Sequence, residues 1–289
     1  MVDYNDLTTL IDSNGTDVLT ERAFYDRWQL QIDPQWNPEQ IAFAAGAFAS
    51  TPSFLFIAGY QSAVIRTFGA TDSRWRALAI SEDRSPENPA PGVTLSGDEN
   101  GRDGKINGFK TWVACSDHLT HVIFTAAGNE GNRLYHIEQG TNGLTIHSKP
   151  KAKFLGDMSQ GIAEFNDVDA SSLTLLLTEA ETDAADSNSW TTVMKQFAKR
   201  EPLYLFFALC GRLHHHGNRD MRDLTEKLLT IASGDFSDPN HKLLFADVDS
   251  ALNGLFPDLF SETFASGTQQ DQSVLSLYSP VIQKRAGLG

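Results

Sequence analysis

Three features have residue types suited to chemistry: a histidine triplet, two isolated thiols and a tryptophan-bearing strand. His214, His215 and His216 are consecutive. On a helix, successive side chains point about 100° apart, so three in a row do not converge on one metal ion. No cysteine or carboxylate accompanies them at zinc spacing, and a helix C-terminus, where a cationic imidazole is favoured, accounts for them better. Cys115 has no base partner identifiable in the sequence, so nothing supports a thiol nucleophile there. A Gly-x-Ser-x-Gly elbow, a His-Glu-x-x-His helix and a glycine-rich phosphate loop after a strand are all missing. The segment Lys105-Ile-Asn-Gly-Phe-Lys-Thr-Trp-Val-Ala114 is more informative. Trp112 offers a flat apolar wall to a planar ligand, and the strand offers the backbone groups of Val113 and Ala114 to the ligand's polar edge. A core aromatic following a hairpin is the plainer alternative, and these residues alone leave it open.

The elements that must position such residues fall into three blocks. Up to about residue 70 the pattern is helical. Thr20 caps a segment with Phe24, Trp28 and Leu30; Asn37 caps a helix beginning at Pro38; Thr51-Pro52 interrupts before a helix over 53–68 that Gly69 closes. From Trp75 the pattern changes to short strands: Ala77 to Ser81, Val93 to Leu95, Lys105-Ile106, Phe109 to Val113, His121 to Thr125, Arg133 to Ile137, Leu144 to His147 and Ile162 to Phe165. Turn signals separate them, among them Asp98 to Gly101, Asp103-Gly104, Asn107-Gly108 and Thr141 to Gly143. After Ser171 an acidic stretch from Glu179 to Ser189 leads into helices over 190–216, 219–233, 239–255 and 273–284. Pro202 is expected to kink the first of these or mark its start. Helices, then strands, then helices make a segregated α+β order rather than βαβ alternation.

Composition bounds the function. With 289 residues, 40% hydrophobic and 21% charged, the chain is neither disordered nor collagenous. Two cysteines exclude a disulfide scaffold and suit a reducing compartment. A balance of 23 Lys+Arg against 37 Asp+Glu, formally −14, argues against nucleic acid as a partner. It also implies that little positive charge is concentrated for a polyanionic ligand. The longest apolar runs, 43–48, 54–58 and 203–210, fall well short of the ~20 residues that a membrane span needs. Met1 to Leu10 carries Asp3 and Asp6 and has no basic leader. The expectation is a soluble cytoplasmic protein with no membrane segment.

The β block resembles the middle domain of the acyl-CoA dehydrogenases. Leu78-Ala-Ile-Ser-Glu82 is similar to the strand that enters that family's Thr-Glu-Pro loop, and the segment 105–114 to its Asn-Gly, Lys and Trp strand. Gly143-Leu-Thr-Ile, Leu155-Gly-Asp-Met-Ser159 and Ala163-Glu-Phe-Asn-Asp-Val168 resemble its closing strands. The resemblance implies an α+β, acyl-CoA dehydrogenase-like fold. Its parts would be a shortened N-terminal helical domain over 1–74, an antiparallel β-barrel or sandwich over 75–171, and a C-terminal helical bundle over 172–289.

The same resemblance implies FAD as cofactor, an acyl-CoA or other acyl thioester as substrate, a place in fatty acid metabolism, and a homodimer or homotetramer. Ser81 and Trp112 would contact the flavin, with the backbone of Val113 and Ala114 at its edge. The family usually carries a hydroxyl residue where this chain has Ala114. Arg200 would shape the substrate site and Glu201 would be the catalytic base, provided burial raises its pKa toward neutrality. An ordinary helix-start or ion-paired carboxylate is the alternative for Glu201. The chain also departs from the pattern. Asp83-Arg-Ser-Pro-Glu-Asn88 replaces a glycine-rich loop, which removes close backbone approach and adds negative charge. The Arg-x-x-Phe-Gly grip on the FAD pyrophosphate is not found; Gly217-Asn-Arg219 is the nearest segment. Two alternatives follow: a fold member without catalysis that binds an acyl ligand or a protein, and a flavin-dependent monooxygenase.

Overall fold

The computed structural model describes residues 2–11, 17–70, 72–97, 104–129, 131–178, 190–217, 220–265, 267 and 270–288. The expected turn at Asp98 to Gly101, Asp103, the acidic stretch 179–189, and Asn218 and Arg219 lie outside these residues. The chain forms two compact units: Met1–Ser73, Lys153–Met158 and Phe197–Gly289 make one, Arg74–Ala152 and Ser159–Gln196 the other.

The first unit is helical. α1 (Tyr4–Thr8) starts on a reciprocal capping box between Asp3 and Asp6. α2 (Glu21–Gln31) is capped by the Thr20 side chain, which accepts from the Ala23 N–H. α3 (Pro38–Ala47) has Asn37 as its cap and proline in its first turn. α4 (Pro52–Phe68) starts on Thr51 and ends at Gly69, whose φ of 68° is left-handed. α5 (Trp190–Gly217) runs unbroken through Pro202, so that proline neither starts nor ends it. α6 (Arg222–Ser233), α7 (Pro239–Thr263) and α8 (Ser279–Arg285) follow.

α5 is the spine of this unit, with Leu203 to Cys210 all buried. α3 crosses it with the backbones nearly touching. A β-carbon on Gly46 would stand 2.0 Å from the Ala208 carbonyl oxygen, and one on Gly211 would stand 1.9 Å from that of Phe43. Only glycine permits such an approach from both sides of the crossing. Beside it, the fully buried guanidinium of Arg212 pairs with Asp17 at 2.8 Å and donates to the Ala47 carbonyl at 3.3 Å. Burial pushes the Asp17 carboxyl up, but Arg212 outweighs it and holds the pKa below the usual carboxylate range.

The second unit is a mixed sheet. Its strands are β1 (Arg76–Ala79), β2 (Thr94–Ser96), β3 (Lys105–Ala114), β4 (His121–Gly128), β5 (Gly131–Glu138), β6 (Leu144–Ser148), β7 (Gln160–Asp169) and β8 (Thr174–Thr178). The order is β6-β7-β3-β2-β4-β5-β8, with β1 pairing on β4. Ladders are antiparallel except β1–β4 and β2–β4, which run parallel. Val93, Ile106, Val113, Val122, Phe124 and Phe165 belong to its core.

Two local expectations change. Asn107-Gly108 is not a turn; it lies inside β3, where the register with β7 shifts between Ile106 and Gly108. Gly108 has φ 124°, and a β-carbon there would stand 2.2 Å from the Gly92 carbonyl oxygen. The Asn107 side chain bonds across to Asp167, itself at φ 53°, donating to its carboxylate at 3.2 Å and accepting from its N–H at 2.9 Å. The pair makes a bulge, which accepts the same left-handed residues as a hairpin turn. Leu155 to Ser159 is a loop rather than a closing strand. The Leu155 N–H donates to the buried Asp271 carboxylate at 2.6 Å, and the Asp157 N–H donates to the Ser53 hydroxyl at 3.1 Å. Those bonds replace a strand ladder and hold the loop in the helical unit.

Candidate functional site

The candidate residues divide between the units: Ser81, Trp112, Val113 and Ala114 in the sheet, Arg200 and Glu201 in the helices. In the sheet, Ser81 follows β1 and is exposed. Its carbonyl accepts from the Thr111 N–H at 2.8 Å, which fixes it beside the strand that carries Trp112. Trp112 is half-buried, and its indole N–H donates to Gln160 at 3.2 Å, so the ring orientation is pinned. Val113 and Ala114 are fully buried, backbone included: they pair with Gly161 and Gln160 of β7, and Val113 belongs to the sheet core, so the structure leaves neither accessible at the flavin edge where the resemblance puts them.

The neighbouring loop is held by two carboxylates. Glu82 accepts from the buried Lys110 ammonium and from the Val93 N–H at 3.2 Å. Lys110 also donates to the Thr125 hydroxyl at 2.9 Å; burial pulls its pKa down and Glu82 opposes that. Asp83 accepts from the Ser85 hydroxyl at 2.5 Å and from the Ser85 and Ala90 N–H groups, each at 2.9 Å. Those bonds, the Ser85 hydroxyl foremost, keep the Asp83 pKa low. The loop therefore uses these amides internally instead of presenting them to a phosphate.

In the helical unit, Arg200 and Glu201 face different neighbours, as consecutive helical residues must. Arg200 turns to the C-terminal turn of α4, donating to the Thr67 hydroxyl at 3.3 Å and the Arg66 carbonyl at 3.5 Å. Burial lowers its pKa. Glu201 turns to Tyr278, just before α8, and accepts a hydrogen bond from its hydroxyl. An edge of Glu201 remains accessible, but the atoms packed around its carboxyl desolvate it. Desolvation pushes its pKa up to about 7, against the lowering effect of the Tyr278 bond. Burial, with the Glu201 charge, also raises Tyr278; Tyr60 is near enough to contribute. Sequence reasoning missed Tyr278: it lies 77 positions from Glu201, and no local pattern marks it.

His214 Nδ1 lies 2.9 Å from the Tyr4 hydroxyl, and among the described residues no group of three His, Cys, Asp or Glu is arranged to hold a metal ion. Both cysteines are buried, and burial pushes the Cys210 thiol up to about 12, which leaves it protonated and inert. No described helix is long and apolar enough to cross a membrane.

A flavin ring needs a flat wall and polar groups at its edge. The pinned, half-exposed Trp112 ring and the exposed Ser81 beside its strand fit that requirement. The 82–90 loop, with two carboxylates and its amides engaged, does not fit a pyrophosphate.

Solved structures share this architecture. An acyl-CoA dehydrogenase from Geobacillus kaustophilus superposes with a TM-score of 0.57 at 12% identity, over 98% of this chain and 92% of that one. An FAD-dependent dehydrogenase gives 0.56 at 12% identity, over 94% of each chain. The prolyl acyl carrier protein oxidase AnaB gives 0.52 at 13% identity, over 98% of this chain and 84% of that one. No protein-family model matches the chain, and no curated protein sequence does. At such identities the likeness shows the fold: helices, a mixed sheet and helices again, in the acyl-CoA dehydrogenase architecture.

Proposed function

We propose that the chain is an FAD-dependent oxidoreductase that oxidises an acyl thioester across its Cα–Cβ bond. The observation that carries this reading is Glu201, a desolvated carboxyl with a pKa of about 7 on the first helix of the C-terminal bundle. A base with a pKa near ambient pH is matched to proton abstraction, because it is substantially ionised yet still basic. In this reading Glu201 takes the α-proton, and the Tyr278 hydroxyl fixes the carboxylate's orientation. Ser81 and the Trp112 ring hold the flavin ring. Arg200 acts at a remove, by tying α5 to the end of α4. FAD, when bound, supplies the acceptor for the β-hydride. The substrate class is an acyl-CoA or a carrier-bound acyl thioester, and the assembly a homodimer or homotetramer, as the fold's dehydrogenases suggest.

One observation favours a second reading, a fold member that binds a ligand without turnover: the Asp83-closed loop leaves those amides unavailable to FAD phosphates. FAD titration followed by anaerobic addition of acyl-CoA thioesters separates the two. Stoichiometric uptake and loss of the visible flavin band support the oxidoreductase. No uptake at saturating FAD sinks it, and uptake without bleaching by any thioester favours the second reading.

A further inference from the structure

The helical unit contains a cavity of about 230 Å³ that the proposed reaction does not use. Its polar wall is Lys199 of α5, His241 and Lys242 of α7, and Arg285 of α8, three of them cationic. Its apolar floor is Phe245 and Ile282, both buried, with Phe236 of the α6–α7 connection alongside. This concentration of cations stands against a chain of formal charge −14. It arises only on folding, because three helices far apart in sequence each contribute to it.

Among the described residues no carboxylate lines the cavity. Asp235 is the nearby carboxylate: its pKa is held low chiefly by the Ser237 hydroxyl, with Lys199 and His241 assisting. Its backbone carbonyl lies 2.9 Å from His241 Nδ1 and accepts from it, which orients that ring. Asp238 is occupied in capping α7, accepting from the Asn240 N–H at 2.8 Å. The Lys199 ammonium lies 6.0 Å from the centre of the Phe236 ring. Lys242 sits in the first turn of α7, where the helix dipole disfavours a cation and where that turn has no acidic residue. An anion in the cavity would relieve both the dipole and the mutual repulsion of the cations.

We infer that this cavity binds a phosphate monoester bearing a compact apolar group. Lys199, Lys242 and Arg285 match the charge of a phosphate dianion better than that of a single carboxylate. Phe236 and the buried floor accept the apolar part. The volume is too small for a whole dinucleotide, and none of the lining residues is among those assigned to the flavin ring, so the inference does not rest on FAD binding.

Isothermal titration of the full chain at neutral pH with hexyl phosphate, phenyl phosphate, inorganic phosphate and hexanoate provides the test. At least one ester should bind about 10-fold more tightly than both inorganic phosphate and hexanoate, and the stronger ester identifies an alkyl or aromatic ligand. Arg285→Glu should weaken that ester about 10-fold, whereas Lys284→Glu, the same charge change one residue away and outside the lining, should stay within about twofold. Both residues are exposed, so both variants should fold. Esters no tighter than inorganic phosphate, or equal losses in the two variants, would overturn the inference.

Discussion

Glu201 of α5 accepts a hydrogen bond from the hydroxyl of Tyr278 at the entry to α8, and burial nevertheless raises its pKa to about 7. The folded state thus holds a proton on this carboxyl more tightly than the unfolded chain, whose value is 4.5. Stability from this group is complete below the unfolded pKa and is lost as pH rises through the folded one. Glu201→Gln removes that dependence. Between about pH 5 and about pH 8 the variant should gain about 2 to 3 kcal/mol on the wild type in urea denaturation. Tyr278→Phe removes the bond that lowers the Glu201 pKa, so its stability should go on falling to a higher pH than the wild type's. Parallel stability curves for the wild type and Glu201→Gln would show that the carboxyl titrates normally.

The Lys110–Glu82 pair predicts an asymmetry. Lys110 is 1% exposed at its side chain and Glu82 41%. Removing the exposed partner strands a buried ammonium; removing the buried one leaves a carboxylate that water can solvate. Glu82→Ala should therefore destabilise by about 3 kcal/mol and Lys110→Met by about 1 kcal/mol. Thermal melts of the two variants, compared with the wild type, measure the difference.

The α3–α5 crossing predicts a steric failure. A methyl at Gly211 cannot fit 1.9 Å from the Phe43 carbonyl oxygen without forcing the helices apart. Gly211→Ala should cost about 3 kcal/mol, because close-packed backbones have no flexible side chain to yield. A denaturation midpoint equal to the wild type's would show that the crossing is looser than described.

Local signals are readable in the sequence. Thr20, Asn37 and Gly69 mark helix ends correctly because capping is decided within a few residues. The order of helices, sheet and helices is legible from the spacing of turn signals, and the fold's identity from the strands around Trp112. What fails depends on distant partners. Asn107-Gly108 reads as a turn, yet Asp167, 60 residues away, makes it a bulge. Leu155 to Ser159 reads as a strand, yet Asp271, 116 residues from Leu155, draws its backbone into a loop. Tyr278 and the basic cavity are invisible for the same reason: no window along the chain contains their parts. A net charge averages over the surface and gives no hint that four basic side chains meet in one place.

The central claim is that Glu201 acts as the base toward an acyl thioester held against the flavin. Its most direct test is the rate of anaerobic flavin bleaching by acyl-CoA as a function of pH, in the wild type and in Glu201→Gln reconstituted with FAD. The wild-type rate should rise with pH through an apparent pKa near 7, and Glu201→Gln should retain FAD while losing bleaching by at least about 100-fold. Reduction of the flavin in Glu201→Gln at the wild-type rate would contradict the account.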